Sequence, residues 1–68
     1  MRYAVVIEKT GNGYSAYAPD LPGCMAAGDS RAETERLIRE AIAMHVQSLK
    51  EQGHPIPDPS TSTASVQV

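Results

Sequence analysis

The chain has few side chains that could form a covalent intermediate or hold a metal ion. Cys24 is the only thiol, and the two histidines, His45 and His54, lie far from it along the chain. A nucleophilic cysteine needs a base within hydrogen-bond reach, and no spacing places either histidine beside Cys24. We therefore predict that Cys24 is a small buried thiol and that His45, on the apolar side of a predicted helix, is a partly buried ring.

Acidic residues are the second group with possible chemistry, because metal-dependent phosphodiester cleavage needs several carboxylates around two metal ions. Glu8 lies near the end of the first predicted strand, whereas Glu33, Glu35 and Glu40 lie at or beyond the edge of the helix's apolar side. This spacing does not bring carboxylates together. We expect no catalytic residue, no metal site and no cofactor.

The chain is short for a single hydrophobic core. It has 68 residues, of which 41% are apolar, and it lacks both Phe and Trp. A domain of this size buries only about 60% of its unfolded surface. With one cysteine it cannot form an internal disulfide. We predict one domain over residues 1–68 that gains stability by forming a homodimer or a higher even-numbered oligomer.

The charge distribution argues against direct binding to DNA, and the lengths of the apolar runs argue against a membrane-spanning segment. The net charge is −2, and the six basic residues are scattered along the sequence rather than clustered. The longest apolar run, Tyr3–Ile7, is far shorter than the roughly 20 residues that span a bilayer. These features favour a cytoplasmic protein.

Three strands and one helix are predicted to position these residues. β-branched residues favour a strand over Tyr3–Lys9, and the turn signals on either side of them indicate strands over Tyr14–Ala18 and Cys24–Ala27. Gly11–Gly13 predicts a hairpin turn, and Pro19–Gly23 predicts a rigid corner or, equally, a binding loop. The sequence does not decide between a structural corner and a binding loop.

The helix is marked at both ends. Ser30 and Glu33 form an S-x-x-E capping pattern, and Gly53 is a typical residue beyond a helix C-terminus. The apolar periodicity predicts a helix over about Arg31–Gln52. Residues 54–63 form an extended Pro/Ser/Thr-rich connection, and the alternation in Ala64–Val68 predicts a short final strand.

Two motifs carry a resemblance to a known family. They are P-D-L-P-G-C at 19–24 and G-H-P-I-P-D-P-S at 53–60. Together with the order of the predicted elements, they resemble HicB-like antitoxins. The resemblance implies an α+β fold of order β-β-β-α-β with a partial ribonuclease-H-like sheet. In that sheet three strands are antiparallel, the last is parallel to the first in the order 3-2-1-4, and one helix packs on one face.

The resemblance also implies a function. HicB-like proteins are antitoxins of type II toxin-antitoxin pairs that bind and neutralise HicA-like toxins, which cleave messenger RNA. Longer members add a C-terminal DNA-binding domain, and we expect no such separate domain here. Two alternatives remain, a stand-alone homo-oligomeric binding module and, less favoured, a degenerate ribonuclease-H-like nuclease.

Two sets of contact residues follow from these expectations. A toxin that grips phosphates presents Lys and Arg, so an acidic surface would complement it. We predict that the toxin-binding residues are Asp20, Leu21, Glu33 and Glu40. One helix cannot cover both faces of a sheet, so we predict a homo-oligomer interface formed by Ala4, Val6 and Tyr17.

Overall fold

The computed structural model describes residues 1–68 and contains three strands followed by one helix. These are β1 (Val6–Lys9), β2 (Tyr14–Tyr17), β3 (Met25–Gly28) and α1 (Arg31–Glu51). Neighbouring strands are antiparallel, and their order in the sheet is β1-β2-β3. The predicted α+β class, with three antiparallel strands and one helix, is confirmed.

The strand register separates the sheet into two faces, because successive side chains of a strand point to opposite sides. The cross-strand rows are Ile7, Ala16 and Ala26 on the face toward α1, and Val6, Tyr17 and Met25 on the other face. Ala16 is buried, whereas Tyr17 and Met25 are exposed. The helix therefore covers one side of the sheet and leaves the other uncovered.

The loop between β2 and β3 folds inward. The backbone N–H of Leu21 donates to the carbonyl of Ala18 at 3.0 Å, and that of Cys24 donates to the carbonyl of Leu21 at 3.0 Å. Gly23 has a φ of +82°, which favours glycine. The Leu21 side chain is fully buried. Our prediction that Leu21 is displayed to a partner is therefore wrong, because these two turns point it into the core.

The core is a small cluster between the sheet, this loop and α1. Its buried apolar members are Ala16, Ala18, Leu21, Cys24 and Ile38. The burial of Cys24 agrees with the prediction from the sequence. The cluster contains two alanines and no aromatic ring, so each large side chain in it contributes a substantial share of the buried apolar area.

Both ends of α1 are capped as the sequence predicts. The Ser30 hydroxyl accepts a hydrogen bond from the backbone N–H three residues later at 3.1 Å. At the other end, Gly53 has a φ of +71° and its N–H donates to the carbonyl of Lys50, while that of His54 donates to the carbonyl of Leu49. This pair of bonds is a Schellman motif. No stretch of α1 is apolar enough to cross a membrane.

The predicted fourth strand is not formed. Residues 54–68 contain no helix or strand, and Val66 in the predicted strand Ala64–Val68 is 82% exposed. The sheet order 3-2-1-4 with a final parallel strand is therefore corrected to three strands, with β1 at an edge. The physical reason is that Ser60 and Thr61 are held at Asp20, beyond the end of β2, rather than beside β1.

Replacing Leu21→Ala tests the role of the inserted loop. We expect the free energy of unfolding to fall by about 2–5 kcal/mol, because the change removes buried methyl groups and leaves a cavity. Urea unfolding followed by circular dichroism measures this change. Leu21→Met, which conserves volume, should cost less than about 1.5 kcal/mol. A Leu21→Ala cost as small as that of the exposed change Met44→Ala would contradict the core assignment.

Candidate partner-binding surfaces

The structure brings one pair of potentially reactive residues together without making them a catalytic pair. Cys24 and His45 line the same depression of about 310 Å³ beside α1, a proximity that the sequence spacing did not predict. No hydrogen bond joins them, and desolvation raises the pKa of the buried Cys24 thiol above its ordinary value. The thiol therefore stays protonated at neutral pH. No three His, Cys, Asp or Glu residues lie close enough to hold a metal ion.

Asp20 binds the C-terminal segment of its own chain. Its Oδ2 accepts hydrogen bonds from the backbone N–H groups of Ser60 at 3.1 Å and Thr61 at 3.0 Å. Its Oδ1 accepts from the two hydroxyl groups at 3.0 and 2.8 Å. The bonds from Thr61, backbone first, lower the pKa of Asp20 below its ordinary value of 3.8. Both carboxylate oxygens are thus engaged inside the chain, a role that sequence analysis missed.

The uncovered side of the sheet, which we call the open face, is apolar at its centre. Tyr17 is 43% exposed and Met25 is 68% exposed, and they are direct cross-strand neighbours. Beside them, the small residues Ser15 and Ala27 pair across the same two strands and form part of a depression of about 410 Å³. Large apolar side chains next to a hollow are a common feature of protein-binding surfaces.

The structure places two predicted interface residues on this open face. Val6 lies opposite Tyr17 in the cross-strand row and is partly exposed. Ala4 precedes β1 by two positions and is also partly exposed. Since residues two apart on an extended chain point to the same side, Ala4 continues the side of Val6. The three residues predicted for self-association thus lie along one surface.

A second surface runs along the side of α1 that lies next to β3, and we call it the β3 flank. Glu33 and Glu40 lie on it seven positions apart, so they are on one side of the helix about 10 Å apart along its axis. Glu33 lies close to Gly28, and Glu40 pairs with Arg36 at 3.3 Å. Met44, which is largely exposed, lines the next depression along this side.

Comparison with known proteins identifies the family. A family model described as HicB_like antitoxin of bacterial toxin-antitoxin system matches residues 3–67. The chain belongs to the HicB-like antitoxin family. This confirms the resemblance carried by the two sequence motifs.

Several sequence relatives of this HicB-like chain differ in length. A 14.9 kDa protein of Haemophilus phage HP1 is 39% identical over 57 residues, which cover 84% of this chain and 43% of the phage protein. A UPF0150 protein of Thermoplasma acidophilum is 40% identical, with 84% of each chain covered. Antitoxin HicB 2 of Photorhabdus laumondii is 33% identical, covering 90% of this chain and 44% of that one. The chain therefore spans less than half of two of these relatives.

Solved structures show the same fold. A chain of a HicA3 and HicB3 toxin-antitoxin complex superposes with a TM-score of 0.74 at 37% identity, covering 88% of this chain and 70% of that chain. The crystal structure of antitoxin HicB3 gives a TM-score of 0.71 at 37% identity, covering 88% of this chain and 44% of that one.

The geometry gives a structural explanation for the family-like P-D-L-P-G-C motif in this chain. Leu21 fills the core, Gly23 adopts the positive φ, and Asp20 binds the last residue of the second motif, Ser60, and the residue after it, Thr61. The sequence signal for this last contact was the presence of Ser60 and Thr61, whose hydroxyl groups are suited to donate to a carboxylate. The loop is thus a structural corner between β2 and β3. Its packing and hydrogen bonds account for the presence of these residues without a bound partner.

The Asp20 contact should be sensitive to acid. The folded-state pKa of Asp20 is depressed, so its stabilising effect is fully present above the ordinary value of 3.8 and is lost as the pH falls through the lower folded value. We expect the amide NMR signals of Ser60 and Thr61 to shift together with a midpoint below 3.8. In Asp20→Asn, which has no carboxylate, these signals at neutral pH should already have the chemical shifts that the unsubstituted protein shows in acid. A midpoint above the ordinary value would contradict this assignment.

Proposed function

We propose that this HicB-like chain is the antitoxin of a toxin-antitoxin pair, which binds a HicA-like toxin in the cytoplasm and suppresses its cleavage of messenger RNA. The observation that carries the proposal is the likeness, at 37% identity and a TM-score of 0.74, to a chain of a HicA3 and HicB3 complex. The family supports a regulatory rather than a catalytic role. In this proposal the protein acts by occupying a surface of the toxin and is not itself an enzyme.

We assign toxin binding to the β3 flank. An RNA-cleaving toxin must attract phosphates and therefore presents Lys and Arg, which Glu33 and Glu40 would complement. Exposed Met44 adds a flexible apolar contact beside them, and flexible methionines adapt to irregular partner surfaces. Of the four predicted toxin contacts, we retain these two acids. Leu21 is buried, and the Asp20 carboxylate already binds Ser60 and Thr61.

We assign the open face to a second copy of the chain. Val6, Tyr17 and Met25 form a continuous apolar row across the three strands. The core of a single chain is small, so covering this row would add buried apolar area that one copy lacks. The same observation favours the alternative function, a stand-alone homo-oligomeric binding module without a toxin.

Co-expression with the reading frame next to this gene tests the antitoxin proposal. The neighbour should arrest growth when expressed alone, and this protein should restore growth and co-purify with it. Purified toxin should lose its RNA cleavage when this protein is in excess. A neighbour that is harmless alone, or a toxin that stays fully active with excess protein, would leave the homo-oligomeric module as the better account.

A charge reversal tests the β3 flank within that complex. Glu40→Lys should slow toxin association several-fold, because it places a positive charge opposite a basic surface, and the effect should shrink at high salt. Glu51→Lys is the matched control, since this exposed residue lies at the far end of α1. Stopped-flow or surface binding kinetics at two salt concentrations measure both variants. Equal slowing by the two variants would show a net-charge effect and contradict the assignment.

A charge on the open face tests self-association. Tyr17→Asp should reduce the solution mass measured by light scattering to half that of the unsubstituted protein, because a carboxylate facing a second copy would be desolvated without a partner. The control is Ser15→Asp, at the margin of the same face near the hairpin, which should reduce association less. A stable monomer of the unsubstituted protein at micromolar concentration would contradict the oligomer proposal.

A further inference from the structure

A third surface lies at the β1 edge of the sheet, between this strand and α1. α1 packs most closely against β3 and least against β1. Between β1 and α1 lies a cavity of about 500 Å³, which we call the β1 groove. Its apolar lining includes Tyr3, Val5, Ile7 and Ile42, which are partly buried, and Ile38, which is buried. Since β1 is an edge strand, its outer backbone groups also lack strand partners.

The rim of the β1 groove carries three arginines, Arg2, Arg31 and Arg39, and one acid, Glu35. Arg31 and Arg39 both reach the carboxylate of Glu35, at 3.6 and 3.5 Å. Because the rim keeps an excess of positive charge, an occupant without basic side chains suits this groove. The floor is apolar and the neighbouring backbone is an unpaired strand edge, so an extended segment with alternating apolar residues and no basic side chain fits best.

Residues 62–68 of this chain have those properties. The segment reads S-T-A-S-V-Q-V, has no charged residue, and places apolar side chains at positions 64, 66 and 68. All of its residues are exposed. Extended, seven residues span about 23 Å, which is enough to cover the four residues of β1 and the residues before it that line the groove. The segment is therefore long enough to cover the edge, matches the groove in its apolar pattern and brings no basic side chain to the rim.

The path of the chain directs this segment away from its own groove. The Tyr3 hydroxyl donates to the carbonyl of Pro57 at 2.6 Å, so the chain passes the start of the edge strand there. It then reaches Asp20, in the loop that follows the inner strand β2, where Ser60 and Thr61 are fixed. To return to its own β1 edge, the segment would have to reverse direction directly after these contacts.

We propose that residues 62–68 of one copy add as a strand to the free edge of β1 in a second copy, with Ala64, Val66 and Val68 in the β1 groove. The exchange is reciprocal, so each copy completes the sheet of the other and two edges are covered at once. Strand addition satisfies edge backbone groups through main-chain hydrogen bonds, while the apolar side chains provide specificity. This inference does not depend on toxin binding.

Hydrogen exchange of the β1 amides, measured by NMR on the full chain, tests the proposal. The outward-pointing amides of β1 should be protected at high protein concentration and should lose protection on dilution. Val66→Asn should abolish the protection, because it places a polar side chain on the groove floor. Gln67→Asn is the matched control and should retain it, because residue 67 points the other way. Since residues 62–68 are exposed, neither change affects the fold of the single chain.

Disulfide trapping identifies the donor of the strand. Two differently tagged full-length chains, both with Cys24→Ala, carry Val66→Cys in one and Val5→Cys in the other. Oxidation of the mixture should give a cross-linked product that contains both tags. Protection of β1 that is independent of concentration would show that each chain uses its own segment and would overturn the proposal. Unprotected β1 amides at all concentrations would overturn it as well.

Discussion

The burial of Leu21 is the interaction on which the rest of this fold depends. A sheet of three four-residue strands and one helix has few large side chains with which to build a core. Leu21 supplies one from a loop, where it joins Ile38 of α1 in the buried cluster. The backbone turns on either side of Leu21 connect β2 to β3 at the same point. The loop that closes the sheet therefore also anchors the helix onto it.

The same loop organises the C-terminal segment through the residue next to Leu21. Leu21 points inward, whereas the Asp20 carboxylate points toward Ser60 and Thr61. Because these neighbours act on opposite sides of one rigid loop, the position of the C-terminal segment is tied to the position of the core. A change that displaces the loop should therefore affect both regions together, although they lie 40 positions apart in sequence.

The parts of the structure that sequence analysis predicted are those with local causes. The Ser30 cap, the Gly53 terminus and the three strands follow from short patterns of side chains and turns. Leu21 was wrongly predicted to contact the toxin, because the sequence of a leucine between two prolines does not show whether its side chain points into the core or toward solvent. The Asp20 contact was missed because it joins distant residues. The strand predicted at residues 64–68 beside β1 was wrong for the single chain, because the alternating pattern does not show that Ser60 and Thr61 are held at Asp20.

The small size of the chain links these features to association. One helix covers one face of the sheet, and because α1 lies toward β3 it also leaves the β1 groove partly open. Three surfaces thus remain, namely the open face, the β3 flank and the β1 groove, and they differ in chemistry. The first is apolar with large side chains, the second combines acids with a methionine, and the third offers an unpaired backbone edge. Because each suits a different kind of contact, the self-association that we propose would leave the surface that we assign to the toxin free.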